Sequence, residues 1–246
     1  MELLRKMKKD VKDHYSITAL HYIHAGHEGL QHICDVINGI LADIRNAGLE
    51  ELNTAHALIY YKGHSKDKTS DRSYRNISSC PFPAKLLDMY IRDLYGYLWK
   101  EQQAKTQYQG TGSSHELASL LVTEVVQYSL HVSKQPVYLL ALDAQSAFDW
   151  CLRQVLVSEL YKAHMPPAAV LLIDQRLANR CTVYEWEGDV MGPAQDTTGF
   201  EQVGVNSSEY YKLYHNKQLT TAQKSLLGAD IGSQEIAAVV KLMTSC

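Results

Sequence analysis

The feature that most constrains the fold is a continuous apolar run, Val137-Tyr-Leu-Leu-Ala-Leu142, which is followed directly by Asp143. A short run that is apolar at every position is typical of a strand covered on both faces of its sheet. Helical spacing of apolar residues precedes it, from Leu117 to Leu130, and another helix is predicted to start near Ala147. The sequence therefore predicts an α+β fold.

The rest of the chain also mixes helical and strand patterns. Residues 1–50 are predicted to be helical, and a polar, basic segment after Lys62-Gly63 is predicted to be a loop or hairpin. Further helices are predicted from Pro81 and Pro83 to Leu98, after the capping box Ser113-Ser-His-Glu116, and over 168–177. Further strands are predicted over 55–61, over 181–187 up to the Gly188 and Gly192-Pro193 boundary, and weakly near Ile236.

Charge and cysteine content limit the class of protein. The formal net charge of the 246 residues is −3, although basic residues cluster near the N-terminus and over 62–75. The five cysteines are widely spaced and form no Cys-x-x-Cys pair, which is typical of reduced thiols. No apolar stretch approaches the roughly 18–20 residues of a membrane span. We therefore expect a soluble intracellular protein, nuclear or cytoplasmic, with no membrane partner.

Two groups of residues are candidates for a metal site. His21, His24, His27 and His32 lie at partly helical spacing, but the last is out of register, and a partly exposed helix is the simpler interpretation. Asp143 stands at the end of a predicted buried strand, where many enzymes place ligands. Mg²⁺ takes one or two such carboxylates together with substrate phosphates. Gln145 excludes a phosphatase of the Asp-x-Asp type, and a lone strand-end aspartate is more often a cap or an ion-pair partner.

Three motifs in order give Asp143 more weight. Ser73-Tyr-Arg-Asn-Ile-Ser78, Asp143-Ala-Gln-Ser-Ala-Phe-Asp149 and Phe200-Glu-Gln-Val-Gly-Val-Asn-Ser-Ser208 resemble the fingers motif, the first catalytic motif and the Gln-Gly motif of reverse transcriptases. The resemblance is to the RNA-directed DNA polymerases of non-LTR (LINE-type) retrotransposons and covers roughly residues 55–235. Each motif is weak alone, and their shared order and separation make the resemblance specific.

The resemblance implies a partial right-hand polymerase. It implies a helical N-terminal extension over 1–54, a fingers-like region over 55–135 and an incomplete palm over 136–246. The implied partners are an RNA template, a DNA primer and a deoxynucleoside triphosphate, with Mg²⁺, or Mn²⁺ in its place, as the cofactor. Oligomeric state is not implied.

The resemblance also implies roles for individual residues. Asp143 would be the catalytic carboxylate and would bridge two metal ions that clamp the attacking and leaving oxygens. Arg75 would grip the triphosphate through its planar fork, assisted by Lys62, Lys66 or Lys68. The backbone from Ala144 to Phe148 would line the triphosphate, with the Phe148 ring excluding a ribose 2′-hydroxyl. Gln202 would pack near the template and nucleotide.

The chain departs from the family pattern at three places. Asn76 replaces a proline, and Val203 replaces a glycine that allows close backbone approach. Met243 and Thr244 stand about where the family has paired aspartates, shortly before the sequence stops at Cys246. One carboxylate cannot by itself hold two divalent ions. We therefore expect a truncated element with little or no polymerase activity.

Three other possibilities stay open. The first is a polymerase that is active only when complemented by a downstream fragment. The second is a nucleic-acid-binding remnant without catalysis. The third is a poorly folding fragment with an open sheet edge near Val239 and Val240.

Overall fold

The computed structural model of the protein describes residues 2–63, 65–103, 107, 115–139, 147–178, 180–201, 204–225, 228–231 and 234–236. The chain divides into two compact units. The first comprises residues 1–99 and 146–211, and the second comprises residues 100–145 and 212–246. Helices and a mixed sheet share the first unit, so the fold is α+β, as the sequence predicts.

Eight α-helices lie in the described part of the chain. They are α1 (Glu2–Lys6), α2 (Ala19–His24), α3 (Gly26–Ala42), α4 (Phe82–Gln102), α5 (His115–Tyr128), α6 (Arg153–Lys162), α7 (Pro167–Leu177) and α8 (Ser207–Lys224). A 3₁₀ turn at Asp71–Ser73 and a π-helical turn at Ser129–Ser133 complete the helical structure described.

A four-stranded mixed sheet organises the first unit. Its strands are β1 (Thr54–Tyr61), β2 (Tyr74–Ser79), β3 (Arg180–Trp186) and β4 (Asp189–Asp196), in the order β2-β1-β3-β4. The central pair, β1 and β3, is parallel, and each outer strand is antiparallel to its neighbour. In the second unit, β5 (Ala229–Ile231) pairs antiparallel with β6 (Gln234–Ile236).

The two faces of the four-stranded sheet differ in burial. Ala55 and Ala57 of β1 are buried, whereas the alternate residues Leu58 and Tyr60 are exposed. Alternate side chains of a strand point to opposite faces, so one face is covered and the other is open. Helices of the same unit supply much of the buried apolar surface. The largest fully buried side chains of these helices in the unit are Leu87, Ile91, Trp99, Leu156, Leu160, Val170 and Ile173.

The N-terminal helices have their own core. Leu4, Ala19 and Ile33 form a buried cluster with Phe82 and Leu86 of α4. The ring of Tyr22 stacks on that of Phe82 at 4.8 Å between centroids. The N-terminal region is therefore anchored on the first turns of α4.

Several predicted elements are confirmed. β1, β3, α4 and α7 lie within one to four residues of their predicted bounds, and the segment after Lys62 connects a hairpin. The prediction of a helical N-terminus is wrong over residues 7–18. There the Asp13 carboxylate accepts the backbone N–H groups of Tyr15 and Ile17, which offers the backbone an alternative to helical bonds.

Two predictions near strands need correction. Gly192-Pro193 does not bound the sheet, because β4 runs through it with a cis peptide bond. β4 is an edge strand, where a missing N–H costs no ladder bond. The predicted strand over 137–142 is not formed at residues 137–139, where Tyr138 is 89% exposed, and residues 140–142 lie outside the described part.

Among the described residues, no helix combines the length and the apolar character needed to cross a bilayer.

Candidate functional site

The predicted site residues fall into two groups. Lys62, Lys66, Arg75 and Phe148 are described by the structure. Asp143, Ala144 and Gln202 lie outside the described residues, so their predicted roles stay predictions. The segments that flank them are described, and their contacts define the candidate site.

The segment before Gln202 lies against the segment after Asp143. The N–H of Phe200 donates to the carbonyl of Phe148 at 2.9 Å, and the N–H of Gly199 donates to the carbonyl of Cys151 at 2.8 Å. The Thr198 hydroxyl donates to the carbonyl of Asp149 at 2.8 Å. Two segments some 50 residues apart in sequence are thus joined by three hydrogen bonds, of which the bond from Phe200 to Phe148 directly joins the two motifs.

Gly199 makes this close approach possible. Its φ of +86° lies in the left-handed region, and a Cβ there would meet the carbonyl oxygens of Phe148 and Asp149 at 2.8 Å. Only glycine avoids both the backbone strain and this clash. The junction between the two motifs therefore depends on a glycine that lies one residue before the Gln-Gly motif.

The Phe148 ring, predicted to exclude a ribose hydroxyl, is buried. It is 9% exposed, and its centroid lies 5.1 Å from that of Tyr211. The ring therefore packs on an aromatic neighbour within its own unit, and its predicted contact with a nucleotide stays a prediction.

The segment just after the fingers motif also reaches the Gln-Gly motif. Cys80, directly after β2, donates its thiol to the carboxylate of Glu201, and both residues are buried. Burial, and then the Glu201 charge, hold the pKa of Cys80 well above the usual range of a thiol. The thiol is therefore a hydrogen-bond donor and a poor nucleophile.

Arg176 of α7 stands at the centre of this buried polar cluster. Its guanidinium donates to the Leu52 carbonyl at 2.7 Å and the Asn53 side chain at 2.5 Å, and it pairs with Asp88 at 3.3 Å. Asn206 in turn donates to the Asp88 carbonyl at 2.8 Å. Arg176 thereby ties the start of β1 to α4 and, through Asp88, to the residues just before α8.

The space inside this cluster is small. A cavity of about 20 Å³ is lined by residues that include Asp88, Arg176, Glu201 and Asn206. That volume is close to what one water molecule occupies, and it is far below the 300 Å³ or more of a typical ligand pocket. The cluster is therefore a structural network and not a substrate site.

A second feature is an aromatic group at the ends of β1, β2 and β3. The ring of Tyr74 lies 5.6 Å from that of Tyr61 and 5.6 Å from that of Trp186. Lys68 Nζ lies 5.6 Å from the centroid of the Tyr61 ring. We call Tyr61, Lys68, Tyr74 and Trp186 the aromatic–basic cluster; its Trp186 is 43% exposed.

The loop between β1 and β2 is held in shape by its own bonds. The Lys62 N–H donates to the Ser73 carbonyl at 2.8 Å. The hydroxyls of Tyr61 and Tyr74 donate to the carbonyls of Lys66 and Lys68. The loop is therefore ordered by backbone acceptors, while the side chains of Lys66 and Lys68 stay exposed.

Charge separates the two hairpins of the sheet. The β1–β2 loop carries Lys62, Lys66 and Lys68, whereas the β3–β4 turn is flanked by Glu185, Glu187 and Asp189. A phosphate backbone would favour the first hairpin and avoid the second. Any polyanion on the aromatic–basic cluster is therefore expected to lie on the β1–β2 side.

Arg75 belongs to the open face of the sheet. It lies opposite Tyr60 in the register of β1 and β2, and paired residues share a face. Leu58, Tyr60 and Ile77 on this face are 41%, 49% and 41% exposed. The guanidinium is thus carried by an exposed, partly apolar surface.

No group of three or more His, Cys, Asp and Glu residues in the described part of the chain is arranged to hold a metal ion. In the histidine-rich N-terminal region, His21 Nδ1 lies 3.1 Å from the Thr18 nitrogen, as part of the cap of α2. Asp143, the predicted metal ligand, lies outside the described residues.

Sequence reasoning missed the buried network and the aromatic–basic cluster. The sequence did contain a signal for the aromatic–basic cluster. Aromatic residues stand near the ends of two predicted strands and of the fingers motif: Tyr60-Tyr61, Tyr184-Glu-Trp186 and Tyr74. Nothing in the sequence indicates that Cys80 and Glu201 meet.

No protein-family model matches the chain, and no curated protein matches it at a significant level.

Proposed function

We propose that this chain is a reverse transcriptase-related protein of the non-LTR retrotransposon type, containing fingers and part of a palm. The observation that carries the proposal is that the first catalytic motif and the segment just after the fingers motif both contact the Gln-Gly motif. Phe148 of the first catalytic motif bonds to Phe200 of the Gln-Gly motif, and Glu201 of that motif bonds to Cys80 beside the fingers motif. Motifs that resemble the family only by chance have no reason to converge.

The position of Arg75 also favours this function. A triphosphate-binding arginine must be accessible, and Arg75 is half-buried on the open face of the sheet. Lys66 is exposed on the neighbouring loop. We propose that these two residues, with Lys62, contact the phosphates of a nucleotide or of a template strand.

We further propose that nucleotidyl transfer by this chain is weak or lacking. Asp143 would hold Mg²⁺ or Mn²⁺, which would supply positive charge to the reacting phosphate. Met243 and Thr244 stand where the resemblance places two further carboxylates. A single carboxylate leaves most of the charge and coordination of two divalent ions unmet.

Primer extension tests this proposal. The chain is incubated with an RNA template, an annealed DNA primer, deoxynucleoside triphosphates and Mg²⁺ or Mn²⁺, beside its Asp143→Ala variant. We expect no extension by either protein. Extension that disappears in the variant would show an active polymerase. In that case the family assignment would stand and the inactivity would be refuted.

A complementation experiment tests whether the chain is a polymerase that needs a second fragment. A downstream fragment that carries a paired-aspartate motif is added to the chain. Extension that needs both pieces and Asp143 would show a polymerase assembled from two chains.

The aromatic–basic cluster favours a second candidate function, nucleic-acid binding without catalysis. Successive bases stack on aromatic side chains, and lysines neutralise the backbone. Binding of a single-stranded oligonucleotide should then weaken steeply with salt. The Lys62→Ala, Arg75→Ala double variant should bind more weakly and with a shallower salt slope, whereas a Lys8→Ala, Lys9→Ala variant keeps the slope. Equal slopes in all three proteins would exclude this role for the hairpin.

A further inference from the structure

Two histidines that are far apart in sequence stack on each other. The rings of His14 and His56 lie 3.8 Å apart between centroids and within 11° of parallel. His56 belongs to β1 and lies on the same face as Leu58 and Tyr60. His14 lies in a turn over residues 13–17, which we call the N-terminal turn. This turn therefore covers one end of the open sheet face.

Asp13 holds the N-terminal turn in place. One oxygen of its carboxylate accepts the N–H groups of Tyr15 and Ile17 at 3.0 and 2.9 Å, and the other accepts the N–H of Phe82 at 2.7 Å. The Asp13 N–H donates to the Ile17 carbonyl at 2.9 Å. The turn is thus a closed loop docked on the first residue of α4.

The surroundings of His14 disfavour a charge. Both ring nitrogens are buried and have no hydrogen-bond partner among the described residues. The charged groups that act on it are His56, Lys85 and Asp13, and the Tyr15 ring lies 3.9 Å away. Burial, and then His56, lower the pKa of His14, while Asp13 opposes them. An imidazolium at this position would add an N–H donor without an acceptor, and it would lie against the ring of His56.

We propose that the His14–His56 stack is an acid-sensitive latch, whose protonation opens the N-terminal turn and uncovers the His56 end of the sheet face. Because burial lowers the pKa of His14, the closed turn keeps that ring neutral, whereas the open turn exposes it to water as an ordinary histidine, which titrates near pH 6.5. Below it the open turn binds protons that the closed turn excludes. Closure therefore weakens as the pH falls, and it recovers as the pH rises.

The latch has a consequence for the open face. When the turn is displaced, His56 joins Leu58 and Tyr60 on the exposed face of β1. His56 lies opposite Ser79 in the register of β1 and β2. The surface that carries Arg75 is then longer at acid pH than at neutral pH. This inference does not depend on polymerase activity.

Hydrogen exchange read by mass spectrometry tests the latch. The full chain is compared at about pH 5 and about pH 7.5, with labelling times scaled for the intrinsic exchange rate. In peptides that cover residues 13–17, we expect protection to fall at the lower pH, whereas peptides over 54–58 should keep theirs, because β1 is paired on both sides. Peptides from α7 should keep their protection.

Variants decide whether the two histidines cause the effect. His14→Phe retains a ring in the stack and removes the buried imidazole, so it should keep the turn protected at about pH 5. His27→Gln, on the exposed surface of α3, should respond to pH like the parent protein. His56→Phe is the second variant, used if circular dichroism shows that His14→Phe does not fold, and it should reduce the loss of protection without removing it.

Equal protection of the turn at both pH values would refute the latch. A full loss of protection at about pH 5 in a folded His14→Phe protein, or a loss in a folded His56→Phe protein as large as that in the parent, would refute it as well.

Discussion

The guanidinium of Arg176 pairs with the carboxylate of Asp88 at 3.3 Å, and only 7% and 16% of the two side chains are exposed. This pair joins α7 to α4 inside the first unit. Arg176 also binds the Leu52 carbonyl and the Asn53 side chain, which precede β1. A buried charged group therefore connects α7, α4 and the start of β1.

Replacing Arg176 should be strongly destabilising. Arg176→Leu leaves the Asp88 carboxylate buried without its partner, which typically costs about 3–5 kcal/mol of unfolding free energy. Urea denaturation followed by circular dichroism measures the loss. Arg153→Leu is the matched control, because its pair with Asp174 is about one-third exposed and should contribute about 1 kcal/mol or less. Similar losses in both variants would contradict the central role of Arg176.

The cost of Arg176→Leu should depend on pH. Burial raises the pKa of Asp88, and Arg176 opposes that rise. Without the arginine the folded protein holds a proton on Asp88 more tightly than the unfolded chain does. Stability lost in the variant should therefore be partly recovered as the pH falls toward the acidic range. The difference in unfolding free energy between parent and variant, measured from about pH 7 to about pH 5, should shrink.

Gly199 should tolerate no side chain. Gly199→Ala combines a left-handed φ of +86° with contacts of 2.8 Å to the carbonyl oxygens of Phe148 and Asp149. We expect a loss of at least about 1 kcal/mol from strain, and more from the clash. Gly188→Ala isolates the first effect, because its φ is +91° and a Cβ there meets nothing within 4 Å. In urea denaturation, the unfolding free energy of Gly199→Ala should be well below that of Gly188→Ala. The reverse order would refute the close approach of Gly199 to the carbonyls of Phe148 and Asp149.

The cysteines should differ in reactivity. Cys34 is exposed, whereas Cys80 and Cys151 are buried. Burial, and then the Asp149 charge, raise the pKa of Cys151 to about 12. Because the thiolate is the reactive form, iodoacetamide at neutral pH should label Cys34 rapidly and should label Cys80 and Cys151 only after unfolding. Peptide mass spectrometry over time gives the order, and early labelling of Cys80 would contradict its contact with Glu201.

Trp186 should contribute to binding of single-stranded nucleic acid if the aromatic–basic cluster is a stacking surface. Removing a stacked aromatic ring costs about 1–3 kcal/mol, so Trp186→Ala should weaken oligonucleotide binding by about fivefold or more. Tyr97→Ala is the control, since Tyr97 is an exposed aromatic residue of α4 outside the cluster. Fluorescence anisotropy at fixed salt compares the three proteins. Equal affinities would exclude stacking on Trp186.

The elements with strong local signals were predictable. β1, β3, α4 and α7 follow from apolar spacing and from prolines in a first helical turn, which act within a few residues. The break at residues 7–18 was not predictable in this way. It depends on Asp13, whose carboxylate binds both its neighbours and the distant N–H of Phe82.

The candidate site divides in the same manner. The three motif-like segments, their order, the basic loop of the hairpin and the presence of Met243 and Thr244 were predictable, because they are properties of residue identity. The contacts between Phe148 and Phe200, between Cys80 and Glu201, and between His14 and His56 were not predictable, because they arise from the fold. Such contacts join residues 42 to 121 positions apart. A buried polar group must bond to whichever partner lies beside it in the fold. The packing of whole helices and strands sets that partner, and local sequence spacing does not.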